Sequence, residues 1–507
     1  MRGRLPMIAI VLGACAFATI ALSAAPSVAA AAPVLVLAPG GHAVVRDDPF
    51  LTLPTETPAP SLARAALSRA AQSLASTTPS RAHGARLTAR GPATVRSELA
   101  RLYRDHAISR SAYRRYGDSF NASLASARRL GGTRGAELES VIQNLHDIAA
   151  GGLLTASRLP ALFLTLARNR QWWTTGPLLS SGQRVEFAGS ELVWEYYARQ
   201  GIELQELGSF GKADGLYTAG RAKYGRMRRL LAELIPLGAI RGGGKTWEYY
   251  FNFDGGSPPW TSAISQGTAL EALTRAYRAF HDRSYLRVAK RALPILSVPP
   301  PVGVSVSTRL GIRYLLYSFA PAPGTEVING FLQTLIGVRD YARASRDPRA
   351  ERLFERGDAE ARAELPHFDT GAWSLYQPGQ EDTLDYHVLV TGFLRELCTR
   401  THASVYCTTA RHFDSYLKSP PSLGLLTRRA RVGTPASIAF RLSKYSHVGI
   451  VIVRHGRTVF LTSADFAHGR ESFSIPALSS RGRYTVRLAA TDLAGNFNRI
   501  IGFVRVF

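Results

Sequence analysis

Two short stretches of the chain place tyrosine and histidine where they could act on a substrate. The first spans residues 365–376 and ends on Tyr376, shortly after an Asp-Thr-Gly turn, and the second is Asp385-Tyr386-His387. The pattern predicts that Tyr376 ends a loop and that Tyr386 and His387 open a helix. Two tyrosines at such junctions on one rim can converge on one substrate. The alternative, which spacing alone favours, is that both are core aromatic residues with a hydroxyl at the edge.

Motifs for several other chemistries are missing or incomplete. The glycine-rich segment 242–246 ends in Lys245 and Thr246, but a phosphate-binding loop needs a glycine where Ala239 stands. We therefore interpret this segment as a flexible loop. The twelve histidines show no His-Glu-x-x-His spacing, and no Gly-x-Ser-x-Gly sequence occurs. The sequence thus gives no support to nucleotide binding, metalloprotease chemistry or a serine-hydrolase elbow.

The charge of the chain is its most unusual bulk property. With 507 residues, the chain is long enough for two to four domains. Lys and Arg number 62 against 37 Asp and Glu, a net charge of +25, and all but six of these basic residues are arginine. A field of this sign attracts polyanions, and arginine grips carboxylate and sulfate groups bidentately. Because no nucleic-acid module is recognisable, we expect an acidic polysaccharide as partner. The alternative is that genome composition favours arginine and the charge only keeps the protein soluble.

The first 31 residues have the organisation of an export signal. Arg2 and Arg4 precede an almost wholly apolar segment, 7–25, and small residues that suit cleavage follow at 27–31. We expect this signal peptide to be removed, which leaves a secreted or cell-surface protein without stable membrane insertion. A lipoprotein anchor at Cys15 is the minor alternative. No other segment reaches the roughly 18 apolar residues of a membrane span.

Two further cysteines, Cys398 and Cys407, lie nine positions apart. In an exported protein they are suited to a local disulfide, although the sequence leaves open whether that bond forms. Two cysteines without third and fourth ligands nearby are unsuited to a structural zinc site. We therefore expect no metal.

The pattern of prolines, helices and strands predicts a multidomain α+β protein. After the signal peptide (1–31) we expect a proline-rich linker over 32–60, a basic helical region over 61–170, a small β element over 171–211, an (α/α) barrel or toroid over 212–420, and an immunoglobulin- or fibronectin-like β-sandwich over 424–507. Apolar residues at helical spacing predict helices over 262–280, 327–344, 385–399 and 407–417. Short segments rich in β-formers predict strands over 184–197 and 202–210, and period-2 alternation predicts the sandwich.

Four segments, in this order, resemble the C-terminal catalytic domain of the D-glucuronyl C5-epimerases. They are W-T-S-A-I-S-Q-G from Trp260 to Gly267, V-I-N-G-F from Val327 to Phe331 with L-I-G at 335–337, the L-P-H-F-D-T-G…Y loop over 365–376, and Asp385-Tyr386-His387. Each segment alone is weak, and their shared order makes the resemblance specific. It covers roughly residues 165–420.

The resemblance implies inversion of glucuronate to iduronate within heparan-type chains, by tyrosines and without an organic cofactor. It places two family tyrosines on Tyr376 and Tyr386. A third falls on Phe319, with Tyr317 two positions upstream as the candidate substitute. The family also has an arginine shortly after the loop tyrosine, whereas residues 377–380 here are Gln-Pro-Gly-Gln.

Further substrate contacts are expected from the motif positions and from one basic residue: Trp260, Gln266, Arg313, Asn329 and His387. A homodimer is a further expectation that the sequence leaves open.

The chemistry explains why tyrosine would be used. The C5–H of a uronate lies α to a carboxylate, and its removal leaves an enediolate that needs cations or strong donors around it. Inversion needs a base on one face and an acid on the other. Tyrosine can serve as either, although the base role requires its pKa to fall from about 10. Two alternatives stay open. A polysaccharide lyase would abstract the same proton and expel the C4 substituent, and an inactive relative would only bind acidic glycans.

Overall fold

The structure is a computed structural model that describes residues 32–51, 93–319 and 326–507. The predicted signal peptide with Cys15 lies outside the described residues, as do the end of the predicted linker and the segment 61–92. Helices and strands are both abundant, in agreement with the predicted mixed class. In the part of the chain that the structure describes, no helix is long and apolar enough to cross a membrane.

Twelve α-helices lie within the described ranges. They are α1 (Val95–Arg104), α2 (Arg110–Leu130), α3 (Gly132–Ala150), α4 (Leu159–Thr175), α5 (Glu206–Thr218), α6 (Tyr224–Leu234), α7 (Ala263–Phe280), α8 (Arg283–Ala292), α9 (Ile328–Ser345), α10 (Pro348–Glu364), α11 (Leu384–Thr401) and α12 (Ser404–Tyr416). The four helices predicted from sequence correspond to α7, α9, α11 and α12.

The strands of the described residues form several small sheets. They are β1 (Ala32–Leu37), β2 (Ala43–Asp48), β3 (Arg184–Phe187), β4 (Trp194–Tyr197), β5 (Gly201–Leu204), β6 (Ala239–Arg241), β7 (Gly244–Thr246), β8 (Ser305–Ser307), β9 (Ile312–Tyr314), β10 (Leu375–Gln377), β11 (Gln380–Glu381), β12 (Leu423–Leu425), β13 (Arg429–Ala430), β14 (Ala436–Leu442), β15 (Ser446–Arg454), β16 (Arg457–Phe466), β17 (Gly469–Ile475), β18 (Gly482–Asp492) and β19 (Phe497–Val506).

The first part of the predicted proline-rich linker is instead a β-hairpin. β1 pairs antiparallel with β2 and parallel with β3, so that a five-stranded sheet has the order β2-β1-β3-β4-β5. The alternating side chains of Val34 and Val36 are buried in this sheet. Pro39 and Pro49 lie in the turns that follow the two strands, where a missing N–H disturbs no ladder. Pro39 and Pro49 therefore mark the ends of strands and not a linker, whereas Pro33 lies within β1.

The β element is shorter than the predicted span 171–211. α4 continues to Thr175 before it, and α5 begins at Glu206, inside the segment predicted as a strand. All residues of α5 except its last two are buried, so the helix has no polar face from which its period could be recognised. Its glycines allow this packing. A Cβ on Gly215 would lie 2.1 Å from the carbonyl oxygen of Phe50.

Helices α5 to α12 form four consecutive hairpins, and the first helix of each hairpin packs on the first helix of the next. These first helices, α5, α7, α9 and α11, run in the same direction. At the start of α7 and α9, a Cβ on Gly330 would lie 3.7 Å from the Cβ of Ile264. Further along, a Cβ on Gly337 would lie 1.8 Å from the carbonyl oxygen of Gly267. Helices α5 to α12 together form a helical array, and the N-termini of α5, α7, α9 and α11 therefore lie at one end of it.

A buried cluster of charges ties the opposite ends of these helices together. Arg275 of α7 pairs with Asp214 of α5 at 3.1 Å and with Glu271 at 2.6 Å. Arg400 of α11 pairs with Asp340 of α9 at 2.8 Å. Burial raises the pKa of Asp214 and of Glu271, and the arginines oppose that rise. Such buried pairs fix the helices relative to one another, because loss of one partner strands a charge.

The last hairpin of the array carries a disulfide. Cys398, near the end of α11, is bonded to Cys407 in α12. His402 adopts a left-handed conformation with φ of 55°, which ends α11 and reverses the chain. The bond that the sequence left open is thus present in the structure.

The glycine-rich segment 242–246 is part of a tight β-hairpin and not a flexible loop. β6 and β7 pair antiparallel, with Arg241 opposite Gly244. Gly242 and Gly243 form the turn with φ of 57° and 78°, a conformation that favours glycine. A Cβ on Gly244 would lie 2.5 Å from the carbonyl oxygen of Arg291. These glycines therefore serve a turn and a close packing contact.

The C-terminal residues form two sheets around one apolar core. One sheet has the order β12-β14-β17 and the other β13-β19-β18-β15-β16. Their shared core includes Leu425, Ile438, Phe440, Ile450, Val486 and Val504. The arrangement is a β-sandwich, and its assignment as immunoglobulin-like stays a prediction.

A buried lysine fastens this sandwich to the helical array. Lys444 is 1% exposed, and its ammonium group pairs with Asp492 at 2.8 Å. The same group donates to the carbonyl oxygen of Tyr416 at 2.8 Å and to that of Ser419. It also lies 5.2 Å from the ring centre of Trp373. One side chain therefore joins the sandwich, the end of α12 and the loop that leads to β10.

Candidate active site

Tyr376 and Tyr386 come together at the N-terminal end of α11. Their ring centroids are 5.0 Å apart and their planes cross at 70°, an edge-to-face contact. Tyr376 is buried within β10, and so lies in a short strand and not at the end of a loop. Tyr386 is partly exposed in the first turn of α11, as the sequence predicts. The fold thus brings two predicted tyrosines into contact.

The Asp-Thr-Gly turn sets the direction of β10. Asp369 accepts a hydrogen bond from the backbone of Gly371 at 2.8 Å, and Thr370 accepts one from the backbone of Trp373 at 2.8 Å. Gly371 has φ of 82°, which favours glycine. The hydroxyl of Tyr416 donates to Asp369 at 2.9 Å and so ties the turn to α12. The motif therefore acts locally, as a turn that aims Tyr376.

His387 is fully buried, which corrects its prediction as a direct substrate contact. It is 0% exposed, and its ring stacks on Trp373 with centroids 3.9 Å apart. Its Nδ1 lies 2.7 Å from the hydroxyl of Ser374, and its Nε2 lies 2.9 Å from the carbonyl oxygen of Phe413. Because both ring nitrogens are bonded inside the protein, His387 positions the loop before β10.

Ser374 links His387 to the buried carboxyl group of Asp382. Burial lowers the pKa of His387 to about 4, so the ring is neutral at physiological pH, and its Nε2–H donates to Phe413. Nδ1 is then an acceptor for the Ser374 hydroxyl. Burial raises the pKa of Asp382 to about 7. A protonated Asp382 can donate to the oxygen of Ser374, and after ionisation the Ser374 hydroxyl donates to the carboxylate instead. A titratable network therefore lies beside the hairpin of β10 and β11 that carries Tyr376, called the tyrosine hairpin.

Trp260 and Gln266 belong to the packing of the loop that precedes α7. Trp260 stacks on Tyr249 with centroids 4.3 Å apart, and its indole N–H donates to the carbonyl oxygen of Phe251 at 2.8 Å. The amide of Gln266 donates to the carbonyl oxygen of Trp247 at 2.9 Å. Both side chains are buried. Both side chains therefore shape the loop from within, and direct substrate contact by either of them stays a prediction.

Arg313 is also buried, in β9, and pairs with Glu364 at the end of α10. Its guanidinium carbon lies 5.4 Å from the ring centre of Phe331 and 5.8 Å from that of Phe368. Burial lowers the pKa of Arg313. The side chain holds β9 to its neighbours, and its burial does not support the predicted substrate contact.

Asn329 is one of three buried residues at the starts of α7 and α9 that have a polar atom without a hydrogen-bond partner among the described residues. It is buried in the first turn of α9, and among the described residues its Oδ1 has no hydrogen-bond partner. The same is true of the Ser262 hydroxyl and of Oε1 of Gln266, at the start of α7. Buried polar atoms are nearly always bonded in native proteins. These three atoms lie at the end of the array that also carries Tyr386.

Tyr317 is buried in an aromatic cluster before α9. Its ring centroid lies 5.6 Å from that of Phe253, 5.3 Å from Trp260 and 4.9 Å from Phe319. Phe319, at the position of the third family tyrosine, packs against backbone, since a Cβ on Gly256 would lie 2.3 Å from its ring. The chain that follows, 320–325, lies outside the described residues.

The sandwich reaches the tyrosine hairpin through Glu381 of β11. This buried carboxylate accepts hydrogen bonds from the backbone of Tyr445 at 2.9 Å and from that of His468 at 2.8 Å. It also pairs with Nδ1 of His468 at 3.0 Å, and this bond raises the pKa of His468. The strand next to Tyr376 is therefore held from outside the helical array.

Four positioning residues of this region were not found by sequence reasoning. They are Ser374, Glu381, Asp382 and Lys444. The adjacent acids Glu381 and Asp382, just before a helix start, were the one available signal, and acids there are ordinarily solvent-exposed first-turn residues. Among the described residues, no group of three or more His, Cys, Asp or Glu side chains is placed to hold a metal ion.

Comparison with known proteins places the tyrosine pair inside a recognised family segment. Residues 243–415 match the model of the D-glucuronyl C5-epimerase C-terminus. The chain is 29% identical over 137 residues to a D-glucuronyl C5-epimerase of Caenorhabditis elegans, covering 24% of this chain and 21% of that protein. It is 30% identical over 136 residues to an uncharacterized protein of Methanocaldococcus jannaschii, covering 26% and 44%. The chain thus spans less than half the length of either curated relative.

Two solved structures share a more distant likeness. The GH76 α-mannanase BT2949 of Bacteroides thetaiotaomicron aligns at a TM-score of 0.34 and 13% identity, covering 46% of this chain and 65% of that one. The cellobiose 2-epimerase of Spirochaeta thermophila aligns at a TM-score of 0.32 and 13% identity, covering 42% and 57%. Neither likeness is close enough to assign a fold or an activity. The family match and the identity to the nematode enzyme agree: residues 243–415 of this chain are similar to the C-terminus of the D-glucuronyl C5-epimerases.

Proposed function

We propose that this protein is a polysaccharide uronate C5-epimerase of the glucuronate-to-iduronate type. The observation that carries the proposal is the contact between Tyr376 and Tyr386, whose ring centroids are 5.0 Å apart inside the segment of the epimerase family. A reaction that removes a proton from a carbon atom and returns one to its other face needs two acid–base groups, and these two phenolic groups can supply them.

In the proposed reaction one tyrosine, as phenolate, removes the C5 proton, and the C5–H electron pair moves into an enediolate on the uronate carboxyl group. The second tyrosine then donates its phenolic proton to the opposite face of C5. The product differs from the substrate only in configuration, and the two tyrosines have exchanged protonation states. No electron acceptor or co-substrate is consumed, so the step balances with these two side chains.

The end of the helical array supports stabilisation of the enediolate. The first turns of α7, α9 and α11 lie at this end, and helix N-termini carry partial positive charge and free backbone N–H groups. Such groups favour a carboxylate and the extra negative charge that develops on it. The unsatisfied Oδ1 of Asn329 at the same end could accept a hydrogen bond from a sugar hydroxyl. We therefore keep Asn329 as a substrate-contact candidate.

The proposal extends to the setting of the enzyme. An acidic polysaccharide outside the cell is the substrate class that agrees with the net charge of +25 and with the export-like start of the chain. In the same proposal the helical hairpins close into an (α/α) barrel, and the sandwich is immunoglobulin-like.

Proton NMR of a polyuronate in deuterated water tests the function. Wild-type protein should exchange the C5 proton of glucuronate-containing oligosaccharides for deuterium and generate iduronate signals. A rise in ultraviolet absorbance would instead show the unsaturated product of a lyase. Binding without exchange would show an inactive glycan-binding protein, and either result would refute the epimerase.

The third proposed tyrosine, Tyr317, is tested separately. Its ring lies among Phe253, Trp260 and Phe319, so Tyr317→Phe removes only the hydroxyl and preserves the aromatic cluster. A loss of exchange as large as that of Tyr376→Phe would place Tyr317 in proton transfer. The loss of a general acid or base slows such a reaction by about 10²-fold or more. An exchange rate of Tyr317→Phe within about threefold of wild type would therefore show that only the other two tyrosines take part in proton transfer.

A further inference from the structure

The outer face of the larger sandwich sheet carries arginines on adjacent strands. β18 and β19 pair antiparallel with Arg483 directly opposite Arg505. Their neighbours Tyr484 and Val504 are buried in the sandwich core. Because side chains alternate along a strand, Arg483, Phe503 and Arg505 project together from the outer face.

These side chains line an open cleft of about 410 Å³, together with Arg428 and Gly482. The guanidinium carbon of Arg483 lies 3.5 Å from the ring centre of Phe503, a cation–π contact that fixes its position. The backbone N–H of Arg505 donates to the carbonyl oxygen of Arg428 at 2.9 Å, which places the third arginine beside the other two. The cleft is thus lined by three arginines and one aromatic ring.

The acids of the sandwich do not neutralise this cleft. The sandwich has three acids, and all of them lie in the described residues. Asp492 pairs with Lys444 at 2.8 Å, Asp465 pairs with His447 at 2.8 Å, and Glu471 lies on β17 of the other sheet. In the described chain no carboxylate therefore pairs with the three cleft arginines. Like charges directly opposite each other in a sheet are destabilising, and a bound anion would relieve that repulsion.

We propose that this cleft binds the carboxylate or sulfate groups of an acidic polysaccharide, at a site separate from the tyrosine pair. Guanidinium groups pair bidentately with both anions. Arg487 follows Arg483 by four residues on the same strand, about 13 Å further along at the rise of a β-strand. Arg499 lies opposite Ala489 on the same face. The arginines therefore follow the strands, as a linear polymer with repeated anionic groups requires.

The choice of a polysaccharide over another polyanion rests on the proposed function. The test uses the full chain and four probes: hyaluronan, which carries only carboxylates, heparin, which also carries sulfates, neutral dextran, and single-stranded DNA. The site variant is Arg483→Ala/Arg505→Ala. Its matched control is Arg441→Ala/Arg470→Ala, which removes another pair of exposed arginines that lie opposite each other, on the smaller sheet.

At about 0.15 M salt, where exposed charges are screened beyond about 8 Å, wild-type protein should bind hyaluronan or heparin and not dextran. The site variant should bind at least about tenfold more weakly, since it loses two charge-assisted contacts, and the control should stay within about twofold. Equal weakening in both variants would show diffuse attraction and overturn the site. An unchanged affinity in the site variant would do the same. Tighter binding of DNA, lost in the site variant, would show that the polymer class is wrong.

The binding test of the cleft and the exchange test of the proposed function can succeed or fail independently. The site variant should exchange C5 protons of a short oligosaccharide at the wild-type rate, because its substitutions lie on the sandwich. Polysaccharide binding through Arg483 and Arg505 without any exchange in the wild type would uphold the site and refute the epimerase. Exchange in the wild type with no binding at the cleft would do the reverse.

Discussion

Glu381 and His468 are hydrogen-bonded across the junction between the helical array and the sandwich, with the backbone N–H of His468 donating to Glu381 at 2.8 Å. Glu381 lies opposite Leu375 in the hairpin that carries Tyr376. His468 lies between β16 and β17, 87 positions further along the chain. The sandwich therefore supports the hairpin of the proposed active site, in addition to any binding role of its own.

Removal of either hydroxyl of the tyrosine pair is expected to stop catalysis and spare the fold. Tyr376→Phe and Tyr386→Phe should each slow C5 exchange by about 10²-fold or more, the effect of losing a general acid or base. The rings and their edge-to-face packing remain. NMR in deuterated water measures the rate. Tyr103→Phe, at an exposed tyrosine of α1, is the control and should exchange normally. Wild-type rates in both site variants would remove this pair from the mechanism.

Loss of the Glu381 carboxylate is expected to loosen the hairpin. Glu381→Ala leaves the backbone N–H groups of Tyr445 and His468 without their acceptor, at about 1–3 kcal/mol for each buried donor. The free energy of unfolding should fall accordingly. The exchange rate should fall about tenfold, because Tyr376 is less well positioned. Urea denaturation and NMR exchange measure the two effects.

Glu381→Gln is the matched control for this prediction. It keeps one oxygen, which can accept from only one of the two backbone groups that the carboxylate serves. Stability and exchange rate should therefore lie between those of wild type and Glu381→Ala. If Glu381→Ala loses stability but exchanges at the wild-type rate, the contact is structural only and does not position the tyrosine.

Asp382 is expected to make the protein less stable as the pH rises. Burial raises its pKa to about 7, whereas an unfolded aspartate titrates near 3.9. Between these values the folded chain holds a proton that the unfolded chain has lost. The stability that this proton contributes is full at low pH and is lost as the pH rises towards about 7. Between about pH 5.5 and pH 8, wild-type protein should lose about 2 kcal/mol more unfolding free energy than Asp382→Asn.

Urea denaturation at the two pH values measures this difference. His387, whose pKa is lowered to about 4, has the opposite dependence, with stability lost as the pH falls below about 6.5. It is common to both proteins and cancels in the comparison. Asp385→Asn, at an exposed acid of α11, should keep the wild-type dependence. Parallel curves for Asp382→Asn and wild type would contradict the buried, protonated carboxyl group.

Lys444 is expected to be indispensable for docking the sandwich. Lys444→Met leaves Asp492 buried without its counter-charge, a change that costs about 3–5 kcal/mol. Lys418→Met, at an exposed lysine between α12 and β12, should change stability by less than about 0.5 kcal/mol. Thermal and urea unfolding compare the two.

A chain that ends near Leu423 lacks Lys444 and both partners of Glu381, and should be unstable or insoluble. Normal stability of Lys444→Met would show that this lysine does not fasten the sandwich to the helical array.

Local patterns in the sequence predicted much of the helical array and the location of the tyrosine pair. The 3.6-residue repeat of apolar side chains gives α7, α9, α11 and α12 within a few residues of their observed ends. Tyr376 and Tyr386 are only ten positions apart, so a turn and a helix start suffice to bring them together. Features of this kind depend on neighbours in the chain, and a linear pattern records them.

The tertiary structure alone decided which motif residues face inward and which distant segments meet. Trp260, Gln266, Arg313 and His387 have the residue types of a binding site, yet all four are buried. The partner of Arg313, Glu364, is 51 positions away, and that of His387, Phe413, is 26 positions away. β1 forms a strand because it pairs with β3, about 150 positions away, and the prolines in and after β1, Pro33 and Pro39, concealed that pairing in the sequence. Burial and long-range pairing depend on the free energy of contacts between residues that are remote in sequence. The amino-acid sequence shows that such residues exist, and only the folded structure shows which of them are in contact.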